Sequence, residues 1–486
     1  MSEGGIIYSD EREESIPDYG SGKTRVELTD SNALHEVPKV SNFDINGDDE
    51  FQNDPSSPNS SGFTTVIAPS IGNDTFGDDM TATALQNCKK TVLSPYYIFL
   101  KCIGWRRCKA VTYEVRRTWP FMCCNFFWPF FLTVLLIMSC VTQILLCFSR
   151  DLIESNPPNS VTNITEITCS DHIFSSLVIL DFLLVGTYLY GLYIFRFKLS
   201  EYLSTFIETV FLGIISRTGS YSPKNLIRSL RFFLLLGLLW IVYSLCVSIM
   251  RVFAHHYERD VDFEFLGRIP VIVKLILIVV SLLGFIVFDI AYTAAVINYS
   301  MQCQLMVYYI QSICNRIVAK EWEIDEAIKQ VHTARQFMNK LNGHLSRAVS
   351  SMMFIFLYSS VISLWGLQKL QHSDPDLVIV ATTSILGTIQ WVLWLLLPLI
   401  QAARVTHSGC WLKKTALEIR TRPFSYRDTP QLDLDSFVNY CGSIQLKAKL
   451  ASIPISPALV IGGSFILGFV MFLVIELDNF SWAPWL

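Results

Sequence analysis

Beyond residue 90 the chain alternates long apolar runs with polar connections that carry most of its charge. Seven runs stand out, at 121–148, 173–195, 232–253, 271–297, 348–367, 377–402 and 458–475. Each matches the length of roughly 20 residues that a helix needs to cross the hydrocarbon core. The last run, PISPALVIGGSFILGFVMFLVIEL at 454–477, carries Gly462, Gly463, Ser464 and Gly468 among Val, Ile, Leu and Phe. Small residues let helices or symmetry-related copies approach closely. Pro454 and Pro457 break its first turn, and Glu476 closes its far end. The pattern predicts a pore-lining helix with Val460, Ser464, Leu467 and Met471 on one stripe, three or four apart.

The connections are patterned too. Residues 301–345 interleave apolar positions (Leu305, Tyr308, Ile313, Ile317, Ile324, Ile328) with charges at helical spacing. That spacing predicts a long cytosolic helix below the bilayer. Residues 432–450 (LDLDSFVNYCGSIQLKAKL) read as a second such helix, within an anchor segment 403–453. Ahead of the first span, SPYYIFLKCIGWRRCK sets Tyr96, Tyr97, Phe99 and Trp105 beside Lys101, Arg106, Arg107 and Lys109. This predicts an interfacial helix with its aromatics at headgroup level. Residues 94–402 thus hold that pre-helix and a six-span bundle.

Charge fixes an orientation. Dense Lys and Arg clusters precede the first span and fill the second-to-third, fourth-to-fifth and sixth-to-seventh connections. The first-to-second and fifth-to-sixth loops are poor in bases. By the positive-inside rule the N-terminus is cytoplasmic and the C-terminus extracellular. The expectation is an all-α membrane protein with seven transmembrane helices and a cytosolic helical anchor. A seven-span G-protein-coupled receptor needs the opposite orientation.

With 51% hydrophobic and 16% charged residues, the chain is more apolar than an ordinary soluble domain. Its net charge of −4 hides an acidic opening, with 17 acids against 4 bases in the first 80 residues. Residues 1–85 lack periodicity and bury too little apolar surface to fold, so they read as a disordered acidic cytoplasmic tail. Cys147 and Cys169 flank one loop, as a disulfide if that loop is extracellular or as two free thiols. Asn163-Ile-Thr in the same loop is a glycosylation sequon. No Cys or His spacing suits a metal, and no cofactor motif is present. An inverted-topology membrane hydrolase would need a His trio inside the bundle, and none of the eight histidines lies deep in a run. The bases follow membrane edges, which leaves nucleic acid without support.

The layout and its closing pattern resemble the insect gustatory and odorant receptor superfamily, in particular its gustatory-receptor-like members. The resemblance rests on SPYYIFLKCIGW, on FMNKLNGHLSRAVSSMMFIFLYSSVISLW, and on FVNYCGSIQLKAKLASIPISPALVIGGSFILGFVMFLVIEL. The family's last span usually carries Thr-Tyr, five hydrophobic residues and Gln-Phe. With Glu476-Leu477 set on Gln-Phe, this chain has Phe469 and Val470 at the Thr-Tyr positions. Only the hydrophobic shape of the motif is kept, which is the mark of a divergent member.

The resemblance implies a tetrameric, ligand-gated cation channel of the plasma membrane, either homotetramer or heterotetramer. It implies a pore lined by the last span, with Leu473 at a hydrophobic constriction and Glu476 ringing the outer mouth. It also implies a small-molecule pocket among the outer halves of the second, third, fourth and sixth spans. Ionisable residues within spans are costly and point to function. Asp181 and Lys274 fall there and could pair or meet a polar ligand. Tyr243, Ser244, Ser248 and Thr383 add hydrogen-bonding groups. Asp289, in the inner half of its span, reads as a structural group bonded to a neighbouring helix.

Overall fold

The structure is a computed structural model that describes residues 75–107, 119–155, 178–199, 201–214, 223–258, 271–370, 377–421, 426–466 and 468–469. All of them belong to the compact unit Ile71–Leu486. The described residues are almost wholly helical. In chain order the helices are α1 (Thr75–Cys88), α2 (Ser94–Cys102), α3 (Trp119–Ser155), α4 (Leu180–Tyr193), α5 (Tyr202–Ile214) and α6 (Pro223–Glu258). They continue with α7 (Val271–Val318), α8 (Ile324–Lys340), α9 (Ser346–Leu370), α10 (Leu377–Arg420) and α11 (Gln431–Ser443). A hairpin of β1 (Lys449–Leu450) and β2 (Ile453–Pro454) follows, then a short apolar helix α12 (Pro457–Ile466).

Among the described residues six helices are long and apolar enough to cross a membrane. They fall on the first six apolar runs, the second from Leu180 onward among the described residues, and α12 opens the seventh. The expected long helices overshoot the bilayer. Helix α7 has 48 residues, which at 1.5 Å each is about 70 Å. It packs against α3, α6 and α10 and also touches α2, α4, α5, α8 and α9. From Ala291 to Val307 every residue is buried, so this stretch is enclosed on all sides rather than amphipathic. Around it α8, α11, the lower half of α10 and α5 form a helical base.

Four boundaries differ from expectation, each for a local reason. Helix α1 begins at Thr75, ten residues inside the stretch read as disordered. Its end is docked, with Cys88 fully buried and Ala84 and Leu85 packed on the core. Residues 301–345 are not one helix. Lys320 takes a left-handed φ of 53° between α7 and α8, and Arg316 closes the turn on Glu321 and over the Trp322 ring. A second break follows α8, where Gly343 leaves helical geometry (φ −80°, ψ −117°) inside a wide turn. The helix expected over 432–450 stops at Ser443, and residues from Ile444 onward are extended.

The fourth difference is the pre-helix, which is not a free interfacial helix. Tyr96, Leu100, Ile103 and Trp105 are buried in the bundle, and the Tyr96 hydroxyl donates to Ala294 O on α7 at 3.2 Å. Trp105 stacks on Phe195 with centroids 4.8 Å apart. Ile98, at 58% exposure, keeps the outward face.

Further ion pairs and buried thiols pack the ends of these helices at the base. Lys89 meets Glu208 of α5 at 2.6 Å, and Arg420 at the end of α10 meets Asp435 of α11 at 2.9 Å. Burial pushes the Cys88 thiol from its usual 9.0 up to about 12, partly offset by the Arg231 charge. Burial does the same to Cys441 on α11, raising it to about 12. The neutral thiol is thus favoured by the folded state, so its contribution is complete below pH 9 and lost as pH climbs from there towards 12. Thiol labelling at pH 8 is expected to modify exposed Cys410 and spare Cys88 and Cys441. Melting points measured above pH 9 should fall with each step. Labelling of Cys441 in the folded protein would contradict this packing.

Candidate functional site

Two groups of polar contacts among the described residues bear on the site. The first is a layer within the spans. The Ser244 hydroxyl of α6 donates to Asp289 Oδ2 of α7 through a short hydrogen bond. Gln390 Nε2 of α10 donates to Ser244 Oγ at 2.7 Å. One residue earlier on α6, the Tyr243 hydroxyl donates to Leu386 O of α10 at 2.9 Å. Thr383, buried, lies one turn before Leu386, and Ser248 is half-buried one turn beyond Ser244. Three helices are therefore tied at one level by groups that would otherwise be unsatisfied in hydrocarbon. Asp289 is bonded across helices as expected, but so is Ser244, which the sequence suggested for a ligand.

Asp181 stands apart from this layer. It is the second residue of α4, only 4% exposed, and its Oδ2 has no hydrogen-bond partner among the described residues. Cys140 of α3 and Tyr292 of α7 lie within its electrostatic reach, and Tyr292 is also within reach of Asp289. The Tyr292 hydroxyl and Thr187 Oγ1 of α4 are 3.3 Å apart. A second buried polar contact joins Gln143 Nε2 of α3 to Ser281 Oγ of α7 at 2.8 Å. Lys274 lies on α7, with its side chain outside the described residues.

The second group lies at the joint between the base and α12. Residues 446–455 run extended between α9 and α10, stitched by side chains on both flanks. Asn342 is the first stitch, donating to Lys447 O at 2.9 Å and accepting from Lys449 N at 2.8 Å. The Ser346 hydroxyl donates to Lys449 O at 2.5 Å, and Ala451 N donates to Ser350 Oγ at 2.6 Å. On the α10 side Ala448 N donates to Thr406 Oγ1 at 3.2 Å. Gly409 lets the strand lie flat, since a Cβ there would sit 2.3 Å from Leu446 O.

The hairpin register pairs Lys449 with Pro454 and Leu450 with Ile453. Ala451 and Ser452 make its turn with φ of 49° and 68°, the left-handed geometry that a tight hairpin turn requires. Ile455 N then donates to Ala448 O at 2.9 Å. Helix α12 departs from that point, with Ser464 Oγ donating back to Val460 O at 2.8 Å.

On α12 the small and apolar surface is open. Leu459, Ile461, Phe465 and Ile466 are 43–75% exposed, and Gly463 and Ser464 are exposed as well. Val460 is the inward-facing member, packed on the core. Leu467, Met471, Leu473 and Glu476 lie outside the described residues, as do Asn163 and Cys169. Cys147 lies on α3 with its side chain outside them. Among the described residues no three His, Cys, Asp or Glu side chains converge.

Gln390, Thr187, Tyr292, Asn342, Ser346, Ser350 and Thr406 were not singled out from the sequence. Asn342, Ser346 and Ser350 recur every four residues at the mouth of an apolar run, and that polar stripe was the available signal.

A multi-pass, all-helical membrane protein is what these elements make. No family model matches the chain, and no curated protein matches it by sequence. Solved structures do match. One is the insect olfactory receptor OR5 from Machilis hrabei in complex with eugenol, at a TM-score of 0.55 and 10% identity. That match covers 82% of this chain and 99% of the receptor. A second structure of the same receptor gives a TM-score of 0.57 at 11% identity, over 79% of this chain and 97% of that one. The fold is that of the insect olfactory receptors, as the sequence resemblance implied, and these neighbours are receptors rather than enzymes.

Proposed function

We propose that this chain is a ligand-gated cation channel of the plasma membrane, a chemoreceptor with four subunits around a pore lined by its last helix. The observation that carries the reading is the stitched joint. A strand clamped between α9 and α10 leads directly into an apolar helix whose surface is left open to other copies. Movement of the spans therefore reaches α12 without a flexible linker. The orientation follows the charge bias, with the N-terminus and base cytoplasmic and the C-terminus outside. The match along nearly the whole length of an olfactory receptor supports the same plan.

The stimulus in this reading is a small molecule that enters from the outer halves of the spans. Asp181 supplies a buried carboxylate whose Oδ2 has no hydrogen-bond partner among the described residues, suited to a cation or a hydrogen-bond donor. Ser248 and Thr383 flank the α6–α10 layer. A ligand that shifts α6 against α10 would have to act through the Ser244, Asp289 and Gln390 bonds. Closed, the hydrophobic ring near Leu473 excludes water; open, Glu476 draws cations to the mouth.

Patch-clamp recording of the expressed full chain against a panel of volatile, bitter and amine compounds tests this. Glu476→Lys is expected to lower cation current about tenfold or more, by reversing the field at the mouth. Ligand-evoked currents that keep their size and selectivity in that variant would remove the last helix from the pore.

A further inference from the structure

The turn that ends α2 is latched from three sides, and its cations are left over. Cys102 O accepts from Trp128 Nε1 at 2.8 Å, Ile103 O from the Tyr188 hydroxyl at 2.9 Å, and Gly104 O from Arg196 Nη1 at 3.2 Å. Gly104 is left-handed (φ 73°), and a Cβ there would meet Pro129 Cβ at 2.9 Å. The turn therefore has a single seat against the start of α3 and the end of α4.

Three bases lie in that turn, Lys101, Arg106 and Arg107, and Lys198 follows Phe197 in the chain. None of the four makes an ion pair among the described residues. The Arg106 guanidinium lies over the Tyr97 ring, 3.0 Å from its centroid, and its Nη1 is buried with no acceptor. Arg107 lies over the Phe197 ring at 5.3 Å. A ring beneath a guanidinium holds its plane and leaves the N–H edge free to donate. A buried, charged donor without an acceptor is costly, so this edge calls for an anion.

The surroundings say what kind. Phe197, Trp128 and Phe131 are 58%, 44% and 54% exposed beside these bases. They form a wide aromatic surface at the end of two spans, where such rings mark headgroup depth. Ordinary flanking lysines would sit in water with all their donors solvated. Here two forked donors are held at fixed positions at the edge of an apolar face.

We propose that this turn binds the phosphate-bearing headgroup of an anionic phospholipid, with its acyl chains along the Trp128, Phe131 and Phe197 surface. Two guanidinium edges favour a headgroup with more than one phosphate charge, because each can take two phosphate oxygens. The proposal rests on the membrane-spanning fold and not on the channel reading.

The test is lipid binding by the full-length protein in phosphatidylcholine nanodiscs, with and without phosphatidylinositol bisphosphate, followed by native mass spectrometry. Wild type is expected to retain the bisphosphate lipid. Arg106→Gln with Arg107→Gln should weaken retention about thirtyfold, while an equal loss of charge at Lys224→Gln with Arg228→Gln on α6 should leave it near wild type. Equal weakening in both pairs, or no retention by wild type, overturns the site. If the glutamine pair does not fold, Arg106→Lys with Arg107→Lys keeps the charge and loses the forks, and wild-type affinity there also overturns it. Soluble inositol trisphosphate binding as tightly as the lipid would show a free-anion site instead and refute the lipid assignment.

Discussion

Replacing Gly409 by valine is expected to unseat the strand that carries the last helix. The new Cβ would lie 2.3 Å from Leu446 O, a main-chain atom that no rotamer change can move. Either the strand lifts or α10 retreats. Lifting breaks the bonds of Thr406, Asn342, Ser346 and Ser350 to residues 447–451. Overpacking of this kind costs about 3 kcal/mol, and unsatisfied buried partners add to it. The expected outcome is a marked drop in the melting point of the purified protein and loss of any evoked current. A variant that melts like wild type would mean that the strand is not clamped.

Trp105→Ala comes second in size. The indole is fully buried, stacked on Phe195 and tilted against Tyr188 at 6.0 Å between centroids. Gly191 of α4 exists to admit it, since a Cβ there would lie 2.4 Å from Trp105 Cζ2. Removing so large a side chain costs about 3–5 kcal/mol when the site cannot collapse. Here the latched turn on one side and α4 on the other prevent collapse. Trp105→Phe should be far milder, because the indole Nε1 has no hydrogen-bond partner among the described residues. Thermal unfolding in detergent separates the two, and equal melting points for both variants would show that the indole is not seated as described.

The apolar periods predicted the spans well because helices in lipid must satisfy their own main chain. Length and hydropathy therefore almost determine them. The joint was harder to read for the opposite reason. Residues 444–450 have the Leu, Ile and Lys content of a good helix, yet they lie extended because Asn342 and Ser346 bond their main chain. That is a tertiary effect, carried by residues a hundred positions away. Tyr96 and Trp105 misled in the same manner. An aromatic and basic stretch at a membrane edge has the composition of an interfacial helix, and only the cleft offered by Gly191 and Ala294 decides that it is buried. Of the proposed pocket, polarity picked out Asp181 and Ser244, which are buried, and Tyr243, which is half-buried. It could not tell that Ser244 and Tyr243 are already engaged, since partner choice depends on how three helices are rotated.

The stitched strand also has a meaning for how the protein is made. Its hydrogen bonds join residues 101–107 positions apart along the chain. Synthesis proceeds at about 5–20 residues per second, so roughly 5–20 s separate the emergence of Asn342 from that of Lys447. Through that interval the turn after α8 and the start of α9 present a polar edge whose strand has not yet been made, while the fifth and sixth spans, α9 and α10, are being synthesised. The open edge is a natural mark of an unfinished chain, one that a chaperone can hold and that disappears when the last strand locks in.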